Sequence, residues 1–179
     1  MPCSLSTEQI AFARRFHGHW CPGLAIGIRA AEWALLELGH DTDESIVAVT
    51  ETDMCGVDGI QALVGCTFGK GNLLFKDMGK MAFSFYRRAD GKAARLLLKS
   101  KADGPKDAGR EEHAQWLMDA ELLDLFEVQA ARWTLPPKAH RLASLLCSVC
   151  GESTMETRTR RMHDQVLCLD CFEAREPRI

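Results

Sequence analysis

Cysteine carries the densest chemistry in this chain. Eight cysteines occur in 179 residues, and four of them form two Cys-x-x-Cys pairs, Cys147 with Cys150 and Cys168 with Cys171, separated by 17 residues. Such a turn points two sulfurs at one spot. Two turns complete a tetrahedron of thiolates around zinc, at about 2.3 Å per Zn–S bond. Four thiolates leave no open coordination position, so the spacing implies a structural zinc rather than a catalytic one. Gly151 follows the first pair, where a tight knuckle favours a residue free to adopt φ > 0. The segment between the pairs is short and polar, so the metal must supply the folding energy. A disulfide-bonded pair of turns is the competing reading. His163 is an alternative ligand, but the four cysteines suffice and a solvated surface histidine is the simpler assignment.

A second concentration lies at Phe16–Gly23, FHGHWCPG. His17, His19 and Cys21 are three soft or borderline metal ligands within five residues. On a continuing helix His17 and Cys21 share a face. If Gly18 breaks the helix, the alternation pairs His19 with Cys21, or His17 with His19. A helix opening at Pro22 would bring its positive end to Cys21 and favour the thiolate. Cys55 adds a further candidate, after a predicted strand and at the start of a predicted helix, where α/β-type folds build sites. Asp53, Asp58 and Gln61 follow as oxygen ligands or as groups that orient a histidine. The bland alternative is two packed histidines and two buried structural cysteines. Cys66, between apolar neighbours, reads as core, and Cys3 receives no role. The stretch from Gly65 to Lys70 resembles a phosphate loop but is one residue short and lacks the following Ser/Thr. Lys70 is expected to point into a polar pocket.

These residues need elements to position them. Ser6 with Gln9 predicts a capping box and a helix over Thr7–Gly18, with Ile10, Ala13 and Phe16 facing inward. Pro22 suits the first turn of a second helix, buried along Leu24, Ile28, Ala31 and Leu35 and ended by Gly39. Ile46–Thr50, Leu73–Phe75, Met81–Tyr86 and Ala93–Leu98 read as strands, with Arg87–Gly91 a hairpin turn. Val57–Val64 and Glu111–Leu123 read as helices, the latter packing through Trp116, Leu117 and Leu122. Leu125–Arg132 is a further strand, and Lys101–Arg110 is polar and turn-rich. His40, His113 and His140 are expected at the surface. The fold class is α+β. Pro136–Pro137 mark the boundary between a core domain at 1–135 and a zinc-finger domain at 138–179.

Composition narrows the function. Apolar residues make up 46% and charged residues 26%, with a net charge of −3, so the whole molecule has no pull toward nucleic acid or anionic membrane. No apolar run approaches the ~20 residues of a membrane span. The N-terminal stretch lacks the pattern of a secretory signal, so the expected compartment is the cytoplasm, with reduced thiols. Within 138–179, seven Lys/Arg face six Asp/Glu. Only Thr157–Arg161, TRTRR, is locally basic, either as a solvated hairpin tip or as a contact for phosphate or nucleic acid.

Taken together, FHGHWCPGLAIGIRAAEWAL at 16–35, TDMCGVDGIQALVGCTFGKGN at 52–72 and KDMGKMAFSFYRR at 76–88 resemble the FmdE family of formylmethanofuran dehydrogenase proteins. The resemblance covers roughly residues 7–135, and the zinc module matches longer members of that family. It implies an α+β core similar to the catalytic domain of glyceraldehyde-3-phosphate dehydrogenase and an intertwined homodimer. It also implies a transition-metal cluster of His17, His19, Cys21 and Cys55, with Asp58, Gln61 and Lys70 as pocket neighbours. The function so implied is accessory or metal-sensing, near a molybdenum or tungsten enzyme. Two other readings stand beside it. One is a metal- or thiol-dependent enzyme using Cys21 or Cys55 with His17 or His19 as base. The other is an interaction protein whose zinc module docks protein or nucleic acid.

Overall fold

The computed structural model describes residues 2–102, 104–105 and 109–175, so the polar stretch Lys101–Arg110 lies partly outside the described residues. The chain divides into two compact units, Met1–Ala139 and His140–Ile179. The architecture is mixed α+β.

The first unit opens with α1, Thr7–His17, held at its start by a reciprocal capping box. The Ser6 hydroxyl accepts the Gln9 amide at 3.2 Å, and the Gln9 side chain accepts the Ser6 amide at 2.9 Å. Gly18 ends α1 at φ 91°, a left-handed conformation that glycine adopts without steric cost. Helix α2 spans Pro22–Leu38, with Cys21 as its N-cap and Pro22 in its first turn. Leu24, Ile28 and Ala31 of its apolar stripe are fully buried, as are Ala25, Ala30 and Ala34, and Leu35 is half-buried.

Strand β1, Ile46–Thr50, leads into α3, Gly56–Val64, and then into β2, Leu73–Phe75, which pairs parallel with β1. This is one β-α-β crossover. β3, Ala82–Arg87, and β4, Ala93–Leu98, extend the sheet antiparallel from the other side of β1. After α4, Arg110–Asp119, and the single turn α5, Leu122–Leu125, β5, Phe126–Gln129, closes the order β2-β1-β3-β4-β5. Every residue of β1 is buried because both faces are covered. Ile46 and Ala48 join the helix-side core, while Val47 and Val49 pack with Tyr86, Ala131 and Trp133.

Three expectations need correction. Phe16 does not face inward but is 51% exposed, because α1 buries only Ala13 completely. The helix expected over Glu111–Leu123 stops at Asp119. Fully buried Arg29 of α2 takes the carbonyls of Met118 and Ala120, each at 2.7 Å, and so satisfies the groups at the end of α4. His113 is not at the surface but half-buried against Trp116.

Inside the sheet, buried Arg95 of β4 grips buried Glu51 through two hydrogen bonds, at 2.5 and 2.9 Å. Arg95 also donates to Gln129 at 2.6 Å, tying β1, β4 and β5 together.

The second unit is built from two hairpins and a helix. β6, Ser144–Leu146, pairs with β7, Ser153–Met155, and β8, Thr159–Met162, pairs with β9, Gln165–Cys168. Helix α6, Leu169–Arg175, follows. Among the described residues its core consists of Cys147, Leu167 and Cys168, with Met162, Cys171 and Phe172 packed around them. The basic run 157–161 is not a hairpin tip: it occupies the end of a 3-10 turn and most of β8, while His163–Asp164 form the tip. His163 is exposed and has φ 50°. Among the described residues no helix is long and apolar enough to cross a membrane.

Candidate metal centres

The core cluster is assembled by two helix N-termini and one helix C-terminus. His17 is the last residue of α1, Cys21 the N-cap of α2, and Cys55 the N-cap of α3, while His19 sits in the linker between α1 and α2. One ligand atom from each of these four side chains lies within 4.8 Å of all the others. The pairings left open by the sequence are thus realised together: His17 Nε2 is 3.8 Å from Cys21 Sγ, and the rings of His17 and His19 stand 4.3 Å apart.

Glycine makes the convergence of the cysteines possible. A Cβ on Gly27 would lie 2.0 Å from the carbonyl oxygen of Gly56, and one on Gly59 would lie 2.8 Å from the Gly27 backbone. A Cβ on Gly23 would meet Cys55 Cβ at 3.0 Å. Helices α2 and α3 therefore cross backbone to backbone, and their N-caps meet. The signal is present as small residues at i, i+4 on one helix and i, i+3 on the other, but reading the sequence alone gives these glycines no role.

Asp58, one turn into α3, orients His17: its Oδ2 lies 2.7 Å from Nδ1, which leaves Nε2 facing Cys21. Gln61 donates to Asp58 at 3.3 Å and accepts the Phe68 amide at 3.3 Å. Asp53 is exposed and stands outside the four-ligand group. Lys70 is not a neighbour of this site. It is ion-paired with buried Asp41, which also accepts from Asn72 and from the Ile46 amide. The GKGN segment is thus a strut between α3 and β2.

The donor set fits a soft divalent cation. Burial, and then the adjacent Cys21 sulfur, push the Cys55 thiol up, so two side-by-side thiolates need a cation between them. Cys21 accepts the Leu24 amide at 3.4 Å, the N-cap interaction of a sulfur at a positive helix end. Two other cysteines lack this setting: burial above all pushes Cys66 up to about 12 and Cys3 up to about 11.

In the second unit the sulfurs of Cys147, Cys150, Cys168 and Cys171 likewise lie within 4.8 Å of one another. Gly151, at φ 73°, closes the first knuckle by donating its amide to Cys147 O at 3.0 Å. Amides of Cys150, Cys168 and Val149 aimed at Cys147 lower its thiol to about 6. The Cys168 side chain, and then burial, push Cys171 up to about 12. A cluster with such opposed members carries four negative charges only around a dication. His163 is outside it.

Beside the core cluster lies a cavity of about 240 Å³ at the carboxyl ends of the parallel strands β1 and β2. Thr50, Thr52, Asp58, Gln61, Phe68 and Phe75 line it. It shares Asp58 with the His17 contact. A larger, open groove of about 730 Å³ runs along α1 and holds none of the cluster residues.

Residues 16–135 match the family model described as FmdE, Molybdenum formylmethanofuran dehydrogenase operon. The chain belongs to the FmdE family. This FmdE-family chain also matches the prokaryotic dksA/traR C4-type zinc finger over residues 141–177. All four core ligands fall in the first match and all four C-terminal cysteines in the second. The C-terminal unit is accordingly a zinc-finger module.

Among solved structures, the FmdE-family chain is similar to a tungsten formylmethanofuran dehydrogenase FmdE-like protein from Syntrophus aciditrophicus. The TM-score is 0.70 and the identity 27%, over 93% of this chain and 91% of that one. It is also 30% identical, over 95% of its length, to a protein of Archaeoglobus fulgidus described as "Probable S-adenosyl-L-methionine-binding protein". The chain spans about half, 54%, of that curated relative.

Proposed function

We propose that this chain is a metal-binding homodimer in an accessory or metal-sensing role related to molybdenum or tungsten formylmethanofuran dehydrogenase. A divalent transition metal is held in the core by His17, His19, Cys21 and Cys55, and a structural zinc by Cys147, Cys150, Cys168 and Cys171. Mixed nitrogen and sulfur donors suit zinc, nickel or copper. The observation that carries the reading is the convergence of four ligand atoms within 4.8 Å from three helix ends and a linker. The reading includes a cytoplasmic location and a core similar to the catalytic domain of glyceraldehyde-3-phosphate dehydrogenase.

The test is metal content per chain, by elemental analysis of protein purified without added metal. The full chain is expected to hold about two metals and Cys21→Ala about one. One metal in both would overturn the core site and leave an interaction protein with a structural zinc. In that role the exposed Arg158, Arg160 and Arg161 would meet a protein or nucleic-acid partner. Binding of nucleic acid would weaken as salt rises.

A second reading is favoured by the cavity at the ends of β1 and β2. Its lining of Asp53, Asp58, Phe68 and Phe75 suits a small cation, since carboxylates and aromatic faces both attract positive charge. The Archaeoglobus fulgidus relative is described as a binder of S-adenosyl-L-methionine, a sulfonium. Equilibrium dialysis would compare this sulfonium with the neutral thioether S-adenosylhomocysteine. Preference for the sulfonium, weakened in Asp53→Asn, supports the reading. Equal or absent binding removes it.

A further inference from the structure

The four core ligands are not held alike. His17 is anchored at Nδ1 by Asp58, and its side chain is only 9% exposed. Cys21 is 3% exposed and holds the Leu24 amide. Cys55 caps α3 and abuts Gly23 across the glycine crossing. Each of the three belongs to a helix terminus that other packing fixes.

His19 differs in every respect. It is exposed, it lies in the non-helical linker 18–20, and the residue before it is glycine at φ 91° with open space around its Cα. Among the described residues no hydrogen bond orients its ring, and its ring contact is with His17. A ligand tethered in this way loses more rotamer and backbone freedom on binding metal than its three partners do.

We propose that His19 is the exchangeable ligand of the core metal, and that a small anionic sulfur donor from solution, a low-molecular-weight thiol as its thiolate, takes its place. This rests on the core-metal reading above. Three fixed ligands and one yielding position is the pattern of open rather than closed metal sites. The class of incoming ligand follows from charge and softness. A divalent ion with two thiolates and a neutral imidazole carries no net charge, so a further anion meets no net repulsion from the centre. The helices α2 and α3 both begin at the cluster and turn their positive ends toward it. Arg14, 5.9 Å from the Trp20 ring, places a cation beside the linker. A site already rich in sulfur prefers another soft donor. In the exchange the thiol gives up its proton to solvent and the His19 imidazole returns to water. Nothing is oxidised or reduced.

The test uses the full chain loaded with cobalt(II), with 2-mercaptoethanol as probe and the visible and near-ultraviolet absorption of the cobalt as readout. A Cys21→Ser/Cys55→Ser variant supplies the background from the C-terminal cluster, which has no position to exchange. For the wild type, a saturable rise in sulfur-to-cobalt charge transfer at unchanged cobalt content is expected. His19→Ala is expected to keep about two cobalt ions per chain and to bind the thiol at least about tenfold more tightly, because the internal competitor is gone. His17→Ala is expected to lose the core cobalt. If His19→Ala also loses it, His19 is a fixed ligand and the proposal falls. It falls too if wild type and His19→Ala have the same spectrum and thiol affinity, or if the wild-type spectrum ignores the thiol. A wild type holding about one cobalt per chain would instead overturn the core site itself.

Discussion

Asp58 Oδ2 lies 2.7 Å from His17 Nδ1, and on the far side of the same ring Nε2 lies 3.8 Å from Cys21 Sγ. The carboxylate on α3 thus chooses the tautomer of the histidine that closes α1 and aims its free nitrogen into the cluster. Outer-shell partners of this kind set ligand orientation and basicity. Asp58→Asn is expected to weaken core metal affinity by about 10- to 100-fold, read by competition with a chromophoric chelator. The C-terminal zinc should hold as before. Unchanged core affinity would make the contact incidental.

The close crossing of α2 and α3 is equally specific. In Gly27→Ala the new methyl would occupy the position of the Gly56 carbonyl, 2.0 Å away, and backbone must move on one side. The cost is expected to be about 1–3 kcal/mol in urea unfolding, as for overpacked cores. The separation of Cys21 from Cys55 should also lower core metal affinity. Alanine at Gly69, where a Cβ meets nothing within 4 Å, is the control and should change neither.

Glu51 and Arg95 are both fully buried and joined by two hydrogen bonds. The Arg95 hydrogen bonds, opposed by burial, hold the Glu51 carboxyl below the ordinary glutamate range. A depressed carboxyl contributes stability that is present above its unfolded value and is lost as pH falls through its folded value. Arg95→Met would leave a buried carboxylate without its partner, at a cost of about 3–5 kcal/mol near neutral pH. Without the arginine the carboxyl is driven up instead, so the variant gains on the wild type as pH drops. Denaturation curves at a series of pH values should show the gap narrowing in acid. A gap independent of pH would show that the loss is one of packing.

In the C-terminal unit, the thiol pKa values predict proton release. Cys171, at about 12, must surrender a proton when zinc binds, whereas Cys147, at about 6, is already mostly ionised in mild alkali. Calorimetric titration of the metal-free chain in two buffers of different ionisation enthalpy should report this release. Zinc affinity should fall as pH is lowered. Cys147→Ser should expose 140–175 to protease while leaving the unfolding of the first unit unchanged, because the described part of that unit is held by its small cysteine-centred core.

Local chemistry wrote much of this protein legibly. The capping pair Ser6 and Gln9, the break at Gly18, Pro22 in the first turn of α2 and the β-branched run of β1 each act within a few residues. Elements with such signals stand where the sequence places them. The four C-terminal cysteines were readable for the same reason: each knuckle is a local turn, and the spacing of the pairs follows from tetrahedral geometry. The family was legible in three motifs that no single one would have established.

Other features depend on which surfaces meet, and periodicity does not encode that. Phe16 has inward spacing, yet α1 buries only Ala13 fully, because the share of a helix that is covered is set by its neighbours. The length of α4 was decided by Arg29, 89 residues from Met118 in the chain, which captures its last carbonyls. Lys70 looked like part of a site until Asp41 turned out to be its partner. The sequence by itself determined the ligand types, the helix ends that carry them and the autonomous zinc module, since caps, turns and Cys-x-x-Cys knuckles are short-range. Only the tertiary structure decided that Cys55 reaches Cys21, because that meeting rests on two helices whose glycines let their backbones touch.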